Sequence, residues 1–348
     1  MTRTPSRRRS DIKPIPFPVL IADIGGTNAR LAILSQPHSP VRHFETVHTK
    51  DYPDFASAAT AAVLDATAIM PKALLIALAG PINETTTKLT NADWVIDPQA
   101  LCEELNLEVV VAFNDFEAQA LALPQLSDDQ LFKVGGGRPR PREPRVVLGP
   151  GTGLGVAALV YADRRYTPIG GEGGHVAMGP ETERDYQIWP HIDRIGGRVS
   201  GEQLLCGNGL ARIYRAIASA DGKPDPTCVD GPAVSERLDA GDPIAEEAVE
   251  LFLTYLGRLA GDLALVFLAK GGVYIGGGIA PRLIDRLESG AFRRAFEAKA
   301  PHEAIMRDIP TYVVTEPKPA VWGLAAIAQL PERFAIDLSH RRWTGDER

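Results

Sequence analysis

Cysteine is scarce in this chain. Of 348 residues only Cys102, Cys206 and Cys228 are cysteine. None stands in C-x-x-C spacing and any pairing leaves an odd thiol, which excludes a disulfide framework and makes a reducing cytoplasm the expected home. Long apolar runs are missing too: nothing reaches the roughly 20 uncharged apolar residues that a membrane span needs. Positive charge is in deficit, with 37 Lys plus Arg against 44 Asp plus Glu and a net charge of −7, so the basic face of a nucleic-acid binder is not expected. Residues 1–18 carry Arg7-Arg8-Arg9 and four prolines but no apolar h-region. That speaks against a secretory signal, and the stretch reads as a disordered tail.

What is present is the make-up of an ordinary globular protein, 45% hydrophobic and 23% charged, long enough for two domains. Val19 to Leu34 reads as strand, tight turn and return strand, with Gly25-Gly26-Thr27-Asn28 at the tip. Glycines there remove side chains and let successive N–H groups close on an anion such as phosphate; an ordinary hairpin turn is the alternative. Val146 to Val160 repeats the device around Gly151-Thr152-Gly153. Its alternating glycines are followed by a strand, Val156 to Tyr161, and not by the helix a dinucleotide fingerprint requires. Neither turn contains Gly-Lys-Ser or Gly-Lys-Thr, so neither is a P-loop. Two such hairpins, one opening each half, suggest a duplicated architecture whose halves face each other across a nucleotide.

Between them, Tyr52 to Met70 reads as an Ala-rich helix and Ala73 to Leu78 as a strand, giving an α/β domain with helices against a mixed sheet. Gly135 to Arg145 looks like an exposed linker. Pro243 to Ala269 is a long helix with Val249, Phe252, Leu253, Leu256, Leu259, Leu263 and Phe267 on one core-facing stripe. Val109 to Phe113 is a buried strand ending at Asn114-Asp115. Asp115 is placed either to cap the following helix or to receive a proton at the carboxyl end of a strand, where α/β sheets bind ligands, and the two readings are compatible. In Gly170-Gly171-Glu172-Gly173-Gly174-His175 the glycines permit close approach to a ligand, and Glu172 and His175 offer hydrogen-bonding groups. Glu202 follows a candidate cap, Ser200. Gly276-Gly277-Gly278 sits between a strand and an expected helix, Ile279 to Leu287, and serves either a simple turn or the approach of an adenosine.

The segments DIGGTNARLAIL, AFNDFEAQALAL, LGPGTGLGVAAL, GGEGGHV and VSGEQLLCGNGL, in that order from about Val19 to about Leu330, resemble the bacterial glucokinases of the hexokinase/actin-like superfamily. The resemblance implies an α/β, two-domain actin-like ATPase fold of the duplicated ribonuclease-H-like type with a cleft between domains. Residues 19–124 plus 318–340 would form a small domain and 125–317 a large one, the last helix, Ala320 to Leu330, crossing back. It implies ATP-dependent phosphorylation of glucose at O6, at the entry to glycolysis. Asp115 would be the general base, with Asn91, Asn114, Glu172, His175 and Glu202 as sugar contacts in a substrate side that also includes Thr90 and Trp94. Asp23, Gly25, Gly26, Thr27, Asn28, Gly151, Thr152, Gly153, Gly276, Gly277 and Gly278 would hold the nucleotide, with Asp23 holding Mg²⁺ through water. No lysine lies in either turn, so Mg²⁺, amide dipoles and Arg30 are left to offset the phosphates. The expected partners are glucose and ATP, with no nucleic acid, no membrane, and a homodimer left open. A kinase for mannose or N-acetylglucosamine, or a non-catalytic sugar-sensing regulator, is the alternative. A regulator would need a DNA-binding segment for which some 18 leading residues are too few.

Overall fold

The computed structural model describes residues 14–80, 82, 85–89 and 93–345. The chain divides into two compact units. Of the described residues, those up to 126 together with 159–169 and those from 317 on make up one, and residues 127–158 and 170–316 the other. The inclusion of 159–169 in the first unit carries no signal in sequence order.

The first unit is built on a sheet that begins with β1 (Val19–Ile24) and β2 (Asn28–Leu34), whose β-branched and aliphatic residues are buried nearly throughout. β3 (Arg42–His43) and β4 (Val47–His48) extend it beside β2. β5 (Ala73–Leu78) lies parallel to β1 on its other side. β6 (Thr87–Lys88) and β7 (Val95–Ile96) form a separate antiparallel pair. β8 (Val109–Asn114) runs parallel to β5, and the strand Arg342–Thr344 returns antiparallel on its outer edge. All six residues of β1 and of β5 are buried, the continuous apolar pattern of strands covered on both faces. One covering element is the helix Pro319–Gln329, whose Gly323 lies against the helix Asp115–Ala122 so closely that a Cβ would stand 1.8 Å from the Ala118 carbonyl oxygen.

A second sheet repeats this plan. β9 (Leu131–Gly135), β10 (Arg145–Pro150), β11 (Leu154–Ala162), β12 (Arg165–Gly171), β13 (Val273–Ile275) and β14 (Thr311–Val314) assemble in the order β12-β11-β10-β13-β14-β9. The three-residue link between β10 and β11 allows only an antiparallel return. β13 then lies parallel to β10, β14 parallel to β13, and β9 closes the edge antiparallel. In each unit a hairpin is therefore followed across the sheet by two parallel strands and an antiparallel edge, the duplicated two-domain actin-like ATPase fold. The helix Pro243–Phe267 packs its Val249, Phe252, Leu253, Leu256, Leu259 and Leu263 into the second core, with Phe267 half-buried against it.

Some elements are shorter than their periodicity suggests. Tyr52–Met70 holds only the helix Phe55–Ala59, capped by Asp54, and a π turn at Thr60–Leu64, closed by the Asp65 amide on the Thr60 carbonyl. The expected helix Ile279–Leu287 is a 3₁₀ turn, Ala280–Leu283, and one α-turn, Ile284–Leu287. Residues 14–18, assigned above to a disordered tail, are packed: Ile15 is buried, and the Pro18 carbonyl accepts from the Lys72 and Ala73 amides. Among the described residues no helix is long and apolar enough to cross a membrane, and all three cysteines are free and buried.

Candidate active site

In the first unit the register sets Ile24, Leu78 and Asn114 level across β1, β5 and β8. The residues just beyond them, Gly25 to Thr27, Gly80 and Asp115, therefore share the carboxyl edge of the sheet, where α/β folds bind ligands. The tip closes through the Gly25 amide on the Asn28 carbonyl at 2.9 Å. Thr49 holds it from one side, its Oγ1 donating to the Gly26 carbonyl at 2.9 Å and its amide to the Thr27 carbonyl at 3.0 Å. A trans peptide sets its N–H opposite its C=O, so the amides of Thr27 and Asn28 point away from Thr49. That is the disposition an anion cradle requires.

Asp23 is 8% exposed and pairs with Arg30 across the hairpin, Nη1 to Oδ2, at 3.0 Å. Burial raises its carboxyl above the usual range, and the Arg30 charge opposes that rise. Arg30, counted above among the phosphate-neutralising groups, thus spends part of its charge on Asp23.

Asn114, not Asp115, is the helix cap. Its Oδ1 accepts from the Phe116 and Glu117 amides, and Glu117 Oε2 accepts from the Asn114 amide at 3.2 Å. Asn114 Nδ2 donates to the Gly80 carbonyl at 3.1 Å, which uses one of two amide hydrogens and leaves the second for a ligand. Asp115 is the first helical residue, half-buried, with Oδ1 accepting from the Phe116 amide at 3.0 Å. Burial, with the Asp23 charge adding to it, pushes the Asp115 carboxyl up to about 7. A carboxyl poised there is matched to proton transfer near neutrality.

In the second unit Leu148, Ile275 and Val313 are level, and the turns Gly151–Gly153 and Gly276–Gly278 lie just beyond them. The two turns touch. Gly277 has φ +77°, and a Cβ there would meet the Pro150 carbonyl oxygen at 2.4 Å; the Gly276 amide donates to the Leu148 carbonyl at 2.8 Å. Glycine is thus demanded at 277 by backbone conformation and by contact. Glu172, His175 and Glu202 also meet here: His175 Nε2 is 3.6 Å from Glu172 Oε2 and 3.9 Å from Glu202 Oε1. Ser200 caps the short helix Gly201–Leu204 in a box with Gln203, which fixes Glu202 in its first turn. Arg198, which carried no signal in the sequence, donates from Nη2 to the His175 carbonyl at 2.7 Å and holds that loop.

The expected site residues are thus gathered into one set per unit. Thr90 and Asn91 lie outside the described residues. Trp94 is a core residue, 2% exposed, with Nε1 donating to the Tyr52 carbonyl at 2.9 Å. Among the described residues no group of three or more His, Cys, Asp or Glu is arranged to hold a metal ion.

Comparison with known proteins bears on this geometry. The family model described as Glucokinase matches residues 20–331. The chain is 50% identical over 327 residues to a glucokinase of Mesorhizobium japonicum, covering 94% of this chain and 96% of that protein. A solved glucokinase from an Antarctic psychrotroph superposes with a TM-score of 0.81 at 30% identity, over 89% of this chain and 98% of its own. A ROK family glucokinase from Streptomyces griseus, solved with glucose and AMPPNP, shares the fold at a TM-score of 0.60 and 22% identity, over 90% of this chain and 99% of its own. With matching hairpins in both units and a family model spanning nearly the whole described chain, this protein belongs to the glucokinase family.

Proposed function

We propose that this chain transfers the γ-phosphoryl group of ATP to O6 of glucose, giving glucose 6-phosphate. The observation that carries the reading is Asp115, a half-buried carboxyl at the carboxyl end of β8, pushed up to about 7 and sharing a sheet edge with the Gly25–Thr27 tip. Asp115 accepts the O6 proton as the oxygen attacks. Asn114 orients the sugar with its second amide hydrogen. Glu172, His175 and Glu202 bond further hydroxyls. The Thr27 and Asn28 amides, with the Gly151–Gly153 turn, hold phosphate oxygens, and Gly276–Gly278 admits the adenosine. Catalysis on this reading is positioning plus charge stabilisation.

Mg²⁺ fits the donors of the first unit, because Asp23 and Asp115 are hard oxygen ligands whose combined charge Arg30 offsets only in part. When bound with the nucleotide, Mg²⁺ neutralises charge on the phosphate oxygens. Asp23 is its proposed contact, through water. Free, buried cysteines support a reducing, cytoplasmic setting.

The test is a panel of hexoses offered with MgATP and with polyphosphate, read as sugar phosphate formed. Glucose with ATP is expected to give the highest kcat/KM. A higher value for mannose or N-acetylglucosamine would replace the substrate, and no turnover with any sugar would end the kinase reading.

A further inference from the structure

Glu202 belongs to two settings at once. Its Oε2 accepts from the Leu154 amide at 3.0 Å, directly after the Gly151–Gly153 turn, while its Oε1 faces His175. The backbone around it is stacked so closely that side chains are excluded. A Cβ on Gly153 would stand 2.6 Å from Glu202 Oε2, one on Gly174 would stand 1.9 Å from the Leu154 carbonyl oxygen, and one on Gly201 would stand 2.9 Å from the Gly174 carbonyl oxygen. The Gly201 amide also donates to the Val176 carbonyl at 2.9 Å, and the Met178 amide to the Val199 carbonyl at 3.0 Å. Residues 151–154, 172–178 and 199–202 therefore form one packed piece, with the Glu202 carboxylate wedged between its phosphate turn and its sugar loop.

We infer that Glu202 is a positioning residue for the Gly151–Gly153 turn as well as a sugar contact, so that one carboxylate serves both substrates. This rests on the nucleotide role proposed above for that turn. Leu154 is 4% exposed, so its amide depends on a protein acceptor rather than on bulk water. Glutamine at 202 keeps a carbonyl oxygen for that amide and loses the charge. Alanine leaves the amide unmatched and the turn unbraced.

The experiment is equilibrium binding by calorimetry on the whole protein, with AMPPNP and Mg²⁺ in the absence of sugar, and separately with glucose. Wild type, E202Q, E202A and G153A are compared. Both Glu202 variants are expected to lose glucose affinity. For AMPPNP, E202A is expected to weaken binding about 5- to 10-fold, the lower range for an unmatched buried amide, while E202Q stays within about twofold of wild type. G153A drives its Cβ into the carboxylate and is expected to weaken glucose binding from within the phosphate turn. A purely sugar-side role would leave AMPPNP binding equal in all Glu202 variants, and that result overturns the inference while the kinase reading stands. If E202A does not fold, unchanged glucose affinity in G153A overturns it equally. Wild type that binds glucose but not AMPPNP overturns the nucleotide role of the turn, and this inference with it.

Discussion

Arg341 donates from Nη1 to Oε2 of Glu117 at 2.8 Å, joining positions 224 residues apart. The same Glu117 oxygen accepts the Asn114 amide, and the Arg341 carbonyl takes the Ala112 amide at 3.0 Å. A guanidinium from the end of the chain thus braces the cap of the helix that carries Asp115. Glu117 is 7% exposed, so removing its partner leaves a charge poorly solvated and unpaired. R341M is expected to lower stability by on the order of 2 kcal/mol and to reduce kcat more than KM. R341K, with the charge but not the fork, is expected to fall between. Urea unfolding and steady-state kinetics on the same preparations check both.

Asp115→Asn keeps shape but cannot take a proton. We expect kcat to fall roughly 10²–10⁴-fold, with a smaller change in glucose KM. In wild type, kcat/KM should fall on the acid side of about pH 7. Stability gives an independent readout. The folded state holds the Asp115 proton more tightly than the unfolded chain, so ionising it costs stability progressively as pH rises from about 4 to about 7, and fully above that. Asp115→Asn should therefore melt above wild type at pH 8, with the difference vanishing toward pH 4. A melting point below wild type at pH 8 would contradict the raised carboxyl.

Asp23→Asn should shift that acid limb. Removing the Asp23 charge takes away one cause of the Asp115 rise and frees the Arg30 charge. Both changes favour the Asp115 carboxylate, so the limb is expected to move to lower pH even though kcat drops. A pH–rate profile of the variant decides it, since an unmoved limb would mean the two carboxylates do not sense each other.

Gly323→Val tests the helix contact behind Asp115. Side-chain atoms at 323 would overlap the Ala118 carbonyl and force the helix Asp115–Ala122 away. Overpacking of this kind costs about 1–3 kcal/mol. Differential scanning calorimetry should show a lower transition and assays a lower kcat, whereas an unchanged transition would show that the helices part freely.

Much of this was legible locally. Gly-Gly-Thr between buried β-branched runs announces a hairpin because no other short element suits both flanks, and Val109 to Asn114 announces a strand end. The cap was legible as well: Asn114 stands three residues before Glu117, the N-x-x-E spacing of a capping box. The Asp23–Arg30 pair follows once the hairpin register is drawn. Arg341 could not be read, since its partner lies in another part of the chain, and Arg198 could not, since its bond goes to a backbone carbonyl. The Ala-rich stretch after Tyr52 overstated its helix because composition does not say where a chain must turn back toward a sheet.

The helix Pro319–Gln329 and the strand Arg342–Thr344 also set a timetable for biosynthesis. β8 and the helix Asp115–Ala122 lack their edge strand and their backing until residues 319–344 have been made. A nascent chain therefore carries both glycine turns before it carries a braced Asp115. On the function proposed above, a chain released before residue 319 would hold both turns yet lack the support that sets Asp115 for proton transfer.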